Sequence, residues 1–259
     1  MGNKMNLIEL DEYLNSFLKK ENFLSDPSLN GIQIQNDAPR TKQIKRVAFA
    51  VDASEDTALA AAEKSADVLF VHHGLFWGGC QTLTGNFYRR ISAFMKNNIA
   101  LIAYHIPLDA NTETGNNYGT AVRLGLTDTE PFGTWRGMSL GVKGLLPVPM
   151  SAEELAEKAL RPGRQPVSVL NFGKDLINSV GIISGGAGDD VDQAVAAGLD
   201  AFITGEFPHS QYHFAKEEKI TVIAGGHYET ETVGVNLVME KLRKETGTEC
   251  LFIDFPTSL

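Results

Sequence analysis

A segment of the chain is repeated within it. RVAFAVDASEDTALAAAEKSADVLFVHHG, starting at Arg46, lies without a gap over SVGIISGGAGDDVDQAVAAGLDAFITGEF, starting at Ser179, at a constant offset of 133 residues. Asp56 meets Asp189 in this alignment, and Asp67 meets Asp200. Both copies read strand, helix, Asp, strand and then a polar pair, His72-His73 in one and Gly205-Glu206 in the other. Downstream, NIALIAYHIPLD echoes KITVIAGGHYETE, so that His105 with Asp109 matches His227 with Glu231, each acid four residues after its histidine. Generic β-α-β units resemble one another, but a shared H-x-x-x-acid motif after matching strands favours duplication. The expected fold is therefore α/β, with two related, intertwined lobes: residues 1–125 plus 227–259 in lobe 1 and 126–226 in lobe 2. Two such lobes would face each other across a cleft, where sites usually form.

The rest of the pattern agrees. Asn6 with Glu9 makes a capping box ahead of an apolar stripe of Leu7, Leu10, Leu14, Phe17 and Leu18. Strands are expected at Arg46–Asp52, Val68–His73 and Ile99–His105, with a helix from Ser54 and another over Asn86–Asn97. After a stretch holding Pro131, Gly133 and Gly137, strands are expected near Leu140–Leu146, Pro166–Asn171, Val180–Ser184, Ala201–Thr204, Ile220–Ala224 and Glu249–Asp254. A helix capped by Ser151 and Glu154, and a last helix over Thr230–Lys244, complete the alternation.

A formal charge of −9 argues against broad binding to nucleic acid or an anionic membrane, both of which need clustered Lys and Arg. Cys80 and Cys250 form no CxxC motif and no disulfide framework, as expected of a reducing compartment. The segment MGNKMN offers neither an apolar leader nor, with Asn at position six, a myristoylation signal. The expected location is cytoplasmic.

Four of the six histidines, His72, His73, His105 and His227, fall at or just past predicted strand ends, where open α/β sheets place their ligands. Neighbours on a strand point to opposite faces, so His72 and His73 are expected to serve two neighbouring ions rather than one. His227 and Glu231 lie on one face of a helix start, where the carboxylate can bridge both ions. Imidazole and oxygen donors without thiolate suit Zn, Mn, Fe, Co or Ni. Two such ions, ~3.5–4 Å apart, can ionise a water and polarise a scissile bond. A single histidine is more often a hydrogen-bonded residue at the edge of a core; the matched set of histidines and acids is what favours metal.

These residues also carry a resemblance. LNGIQIQ from Leu29, DVLFVHHGLFW, LTGNFYRRISAFMKNNIALIAYHIPLD, SGGAG, DAFITGE and GGHYETE resemble the Nif-three-like (Ngg-interacting factor three) family over nearly the whole chain. Short bacterial members of that family carry the label GTP cyclohydrolase 1 type 2 homologue. The resemblance implies one ion on His73, Asp109 and Glu231 and a second on His72 and His227, with Glu231 bridging. It also implies a ring-shaped homohexamer. Gly74 departs from the usual Pro after the histidine pair, and Ile106-Pro107 from Thr-Asn after His105. Neither change removes a ligand.

Other features have plainer readings. Ser184–Gly188 could cradle phosphate, but it is neither a Walker motif nor GxGxxG and is read as a tight turn. Glu206 and His213 follow a matched strand end, and Phe76 and Trp77 are expected to pack an apolar wall. Two functional classes follow. One is a dinuclear hydrolase of a nucleotide-like or heterocyclic substrate, with metal-bound hydroxide as nucleophile and His105 as a proton shuttle or a group supporting the ligands. The other is a non-catalytic metal-binding protein, regulatory or metal-handling.

Overall fold

The computed structural model describes residues 5–259. The reading of the first four residues as neither leader nor acylation signal lies outside the described residues. The elements in chain order are α1 (Leu7–Leu18), β1 (Gly31–Ile34), β2 (Arg46–Asp52), α2 (Glu55–Glu63), β3 (Val68–His73), α3 (Gly85–Lys96), β4 (Ala100–Ala103) and the single turn α4 (Ile106–Asp109). Next are α5 (Asn116–Leu124), β5 (Thr127–Trp135), β6 (Met138–Met150), α6 (Ala152–Ala159), β7 (Ser168–Leu170) and β8 (Ile177–Ile182). The chain closes with α7 (Val191–Ala196), β9 (Ala201–Thr204), α8 (Tyr212–Glu217), β10 (Thr221–Ala224), α9 (His227–Thr246) and β11 (Glu249–Phe252). The architecture is mixed α/β with two sheets, each in its own compact unit.

The first unit holds the chain up to Leu108 and Val235–Phe255. Its sheet runs β1-β4-β3-β2-β11, parallel throughout except for β1, which pairs antiparallel with β4. Parallel strands covered on both faces read as unbroken apolar runs, and β2, β3 and β4 do so. Ala48, Leu69, Val71 and Leu101 pack with Phe94 of α3 and with Ala58 and Ala61 of α2. The helix α1 buries Leu7, Leu10, Leu14 and Leu18, the stripe expected for it. The expected capping box closes it: Asn6 Oδ1 accepts from the amides of Ile8 and Glu9, and Glu9 Oε2 accepts from the amide of Asn6. A cap of this kind contributes about 1 kcal/mol.

The second unit holds Asp109–Gly234 and Pro256–Leu259. Its sheet runs β5-β6-β8-β9-β10-β7, with β8, β9 and β10 parallel and the remaining pairs antiparallel. Val142, Ile182, Ile203 and Ile223 pack with Ala121 and Leu124 of α5 and Leu155 and Ala159 of α6.

The repeat places the crossings near Leu126 and His227, whereas the units divide at Asp109 and Val235. Two asparagines at the start of α5 account for the difference. Asn117 Nδ2 donates to the carbonyls of Asp109 and Leu140, and Asn116 Oδ1 accepts from the amide of Gly234. Residues from Asp109 to α5 and the first turns of α9 are thereby fixed to the second sheet. Asp109, His227 and Glu231 consequently belong to the second unit, not to the one carrying His72 and His73.

One detail recurs in the two units. Asp67 Oδ2 accepts from the amides of Lys45 and Arg46 at 2.8 and 3.2 Å, just where β2 begins. Asp200 Oδ2 accepts from the amides of Asn178 and Ser179 at 3.0 and 3.1 Å. Both carboxyls are held below their ordinary value. Burial alone would raise them, but the amides together with Lys42 at Asp67 and Lys174 at Asp200 outweigh it.

Candidate metal centre

In the first unit, β3 delivers His72 and His73 at its C-terminal end and the turn after β4 delivers His105. Each ring is held through Nδ1 by an oxygen. His72, fully buried, places Nδ1 3.1 Å from the carbonyl oxygen of Tyr104. His73 places Nδ1 2.8 Å from Asp52 Oδ1, and Asp52 is its register partner on β2. His105 places Nδ1 2.9 Å from Asp26 Oδ1. Oxygen partners at Nδ1 fix the N–H there and put the ring's lone pair on Nε2, the arrangement that supports metal-ligating histidines.

The pleat predicts that His72 and His73 diverge, yet their ring centroids lie 4.5 Å apart. His73 is the last residue of β3, and its ring is drawn over to Asp52 on the neighbouring strand. The ligand atoms of His72, His73 and His105 all fall within 4.8 Å of one another.

Asp26 was not among the residues expected here. Its side chain is fully buried; Oδ1 also accepts from the amide of Ser28, and Oδ2 accepts from Asn30 Nδ2 and the amide of Ile106. Burial pushes its carboxyl up, but His105, Asn30 and Ser28 together hold it below the ordinary value. Gly74 also has a local reason: a Cβ there would run into the side chain of Gln33, whose Oε1 accepts from the amides of Leu75 and Phe76. Trp77 packs edge-on against His105, with centroids 4.9 Å apart.

In the second unit, α9 starts with His227 and brings Glu231 onto the same face one turn later, as expected. His227 Nε2 lies 3.2 Å from Glu231 Oε1, and Nδ1 lies 2.5 Å from Glu206 Oε1. Burial would lower the pKa of His227, but the two carboxylates outweigh it and raise it to about 9. Two donors on one cation with bonds of about 2.1 Å, meeting at about 100°, stand about 3.2 Å apart. The separation of His227 Nε2 and Glu231 Oε1 is thus one that two donors to a single divalent cation would also have.

Asp109, nearly buried, offers an oxygen within 4.8 Å of one on Glu231. Its Oδ1 accepts from Ser184 Oγ at 2.9 Å and Asn116 Nδ2 at 2.8 Å. Ser184–Gly188 is a tight turn rather than a phosphate cradle: the amide of Ser184 donates to Asn117 Oδ1 and that of Gly185 to Thr230 Oγ1. His213 lies exposed on α8 with its ring against Tyr212. Cys80 is exposed and Cys250 buried. Within the first unit, the buried and half-buried side chains of His72, His73 and His105 form a group able to hold a metal ion.

A family model described as Duf34/NIF3 (NGG1p interacting factor 3) matches residues 5–258. A GTP cyclohydrolase 1 type 2 homolog of Treponema pallidum is 44% identical, over 97% of this chain and 99% of its own. One from Archaeoglobus fulgidus is 40% identical, over 98% and 100%. The solved structure of TTHA1606 from Thermus thermophilus superposes with a TM-score of 0.87 at 37% identity, covering 98% of this chain and 100% of that one. Among the described residues, no helix is long and apolar enough to cross a membrane.

Proposed function

We propose, from the premise that the chain belongs to the Duf34/NIF3 family, that it is a metal-dependent hydrolase holding two divalent ions on His72, His73, Asp109, His227 and Glu231. The observation that carries this reading is the set of oxygen partners behind the imidazoles. Tyr104, Asp52 and Glu206 hold the Nδ1 atoms of His72, His73 and His227, which presents Nε2 of each ring as the donor. The ion assignment is the one the sequence resemblance carries: His73, Asp109 and Glu231 on one, His72 and His227 on the other, Glu231 on both. Zn, Fe, Mn, Co and Ni all suit these donors.

When bound, the pair of ions supplies an ionised water and polarises the scissile bond. The chain's part is to hold the donors still. Asp52 and Glu206 fix two rings, and Ser184 and Asn116 fix the Asp109 carboxylate. Glu231 is nearly buried, with Oε1 3.2 Å from His227 Nε2. The substrate class proposed is a nucleotide-like or heterocyclic compound, and the names of the Treponema and Archaeoglobus relatives make GTP the first to assay. The repeat is proposed to be an internal duplication, supported by the order β1-β4-β3-β2 in one sheet against β7-β10-β9-β8 in the other, and by the matched carboxylates Asp67 and Asp200. A homohexamer is proposed with it, and light scattering of the purified protein tests that.

Elemental analysis tests the centre. The expected result is about two ions per chain in the wild type and loss of both in Glu231→Ala; full metal in that variant refutes the bridging role. A screen of metal-loaded protein follows, with GTP and a panel of esters and cyclic amides, read by chromatography. Turnover should vanish with a chelator and fall steeply in His73→Ala and Asp109→Ala. No turnover across the panel refutes the hydrolase and leaves a non-catalytic metal-binding protein.

A further inference from the structure

His105 lies outside the five-residue ligand set, yet it is built into the first unit as firmly as His72 and His73. Its own amide donates to Asn30 Oδ1 at 2.7 Å, and the next amide, that of Ile106, donates to Asp26 Oδ2 at 3.1 Å. Its ring is clamped between Asp26 at Nδ1 and the edge of Trp77. The ring centroids of His72 and His73 lie 5.1 and 5.7 Å from it. The Asp26 side chain has no exposed surface and spends its carboxylate on His105, Asn30 and the amides of Ser28 and Ile106. A buried carboxylate is costly unless its hydrogen bonds are strong and fixed. Here they set one orientation of one imidazole.

We propose that His105 is a further metal ligand, held for that role by Asp26, so that the first unit brings three imidazoles, His72, His73 and His105, to the pair of late first-row divalent ions. The inference rests on the metal reading above and adds a donor to it. The ligand atoms of the three rings lie within 4.8 Å of one another, close enough for His105 to share an ion with one of its two neighbours. A carboxylate behind the imidazole fixes its tautomer and raises its basicity, and losing such a partner typically costs 10–100-fold in metal affinity.

The test is Co2+ binding by the intact, metal-stripped chain, read by competition with a chelator and by the visible d–d spectrum. Asp26→Asn should weaken binding roughly 10–100-fold. His105→Ala should weaken it further and change the band positions and intensities, while His213→Ala should match the wild type. If His105→Ala does not fold, His105→Gln replaces it, with the same expected loss. A variant at position 105 with wild-type affinity and spectrum overturns the inference and leaves the five-residue centre standing. A wild type that takes up no Co2+ overturns both.

Discussion

Gly185 and Gly186 offer a matched pair of perturbations beside the candidate ligands of the second unit. Gly185 has φ +68°, and a Cβ there would fall inside contact distance of Glu231 Oε1 and 3.2 Å from His227 Nε2. A Cβ on Gly186 would meet only the His227 ring, at an ordinary 3.7 Å from Cε1 and 3.9 Å from Nδ1. Alanine in the left-handed region costs about 1–2 kcal/mol. Moving the Glu231 carboxylate away from His227 loses a charge-assisted hydrogen bond inside a nearly buried site, about 1.5–3 kcal/mol. Gly185→Ala should therefore destabilise the metal-free protein by roughly 2–5 kcal/mol, a fall in Tm on the order of 5–15 °C for a chain of this size. Gly186→Ala should stay within about 0.5 kcal/mol of the wild type. Thermal unfolding followed by circular dichroism gives the first comparison, and elemental analysis after metal loading gives the second. Only Gly185→Ala should lose metal. Equal Tm and equal metal content in the two variants would refute the argument that Gly185 keeps room for the Glu231 carboxylate.

Three further outcomes are expected. His227 in metal-free protein should titrate near 9 by NMR; because its folded value lies above the ordinary 6.5, the stability it contributes is complete below about 6.5 and lost as pH rises through about 9. Metal uptake at neutral pH should release that proton, and a titration in weak buffer that shows no release counts against a ligand role for His227. A thiol reagent should label exposed Cys80 in the native protein and Cys250 only on unfolding, since burial raises the Cys250 thiol to about 11; equal labelling rates would contradict this. Asp67→Ala and Asp200→Ala should each cost about 1–3 kcal/mol in urea unfolding, because each strips an acceptor from two amides at the start of a strand. Both carboxyls are depressed, so their contribution is present above the ordinary carboxylate range and lost as pH falls through their folded values; a variant with wild-type stability at neutral pH would refute the role.

The elements of the fold most legible in the sequence are those with local chemistry. The capping boxes at Asn6 and Ser151 and the apolar runs of β2 and β3 stand where periodicity puts them. The hairpin β5–β6 was only half visible, because Pro131 and Gly133 read as breakers. Pro131 is tolerated because β5 is an edge strand, and Gly141 of β6 sits where a Cβ would strike the carbonyl of Ile182. The candidate ligands sit in elements the sequence pattern shows, His72 and His73 at the end of β3 and His227 at the start of α9. Their supports are not marked in this way. Asp26 lies far along the chain from His105, Asn116 at the start of α5 and Ser184 in the loop after β8 reach Asp109 from separate places, and nothing in a linear pattern marks such partners. The contacts of Asn116 and Asn117 near the points where the units divide carry no such mark either.

The strand β11 sets a timing problem for synthesis. Its residues Glu249–Phe252 pair in parallel with Arg46–Phe49 of β2, so the first sheet lacks its last strand until long after β2 and β3 have been made. At about 5–20 residues per second, the ribosome needs on the order of ten to forty seconds between β3 and β11. For that interval β2 presents a bare, apolar edge, the kind of surface that templates wrong pairings. Chaperone dependence during translation, and its relief when a β11-bearing fragment is supplied in trans, would be the cellular signature of this order of events.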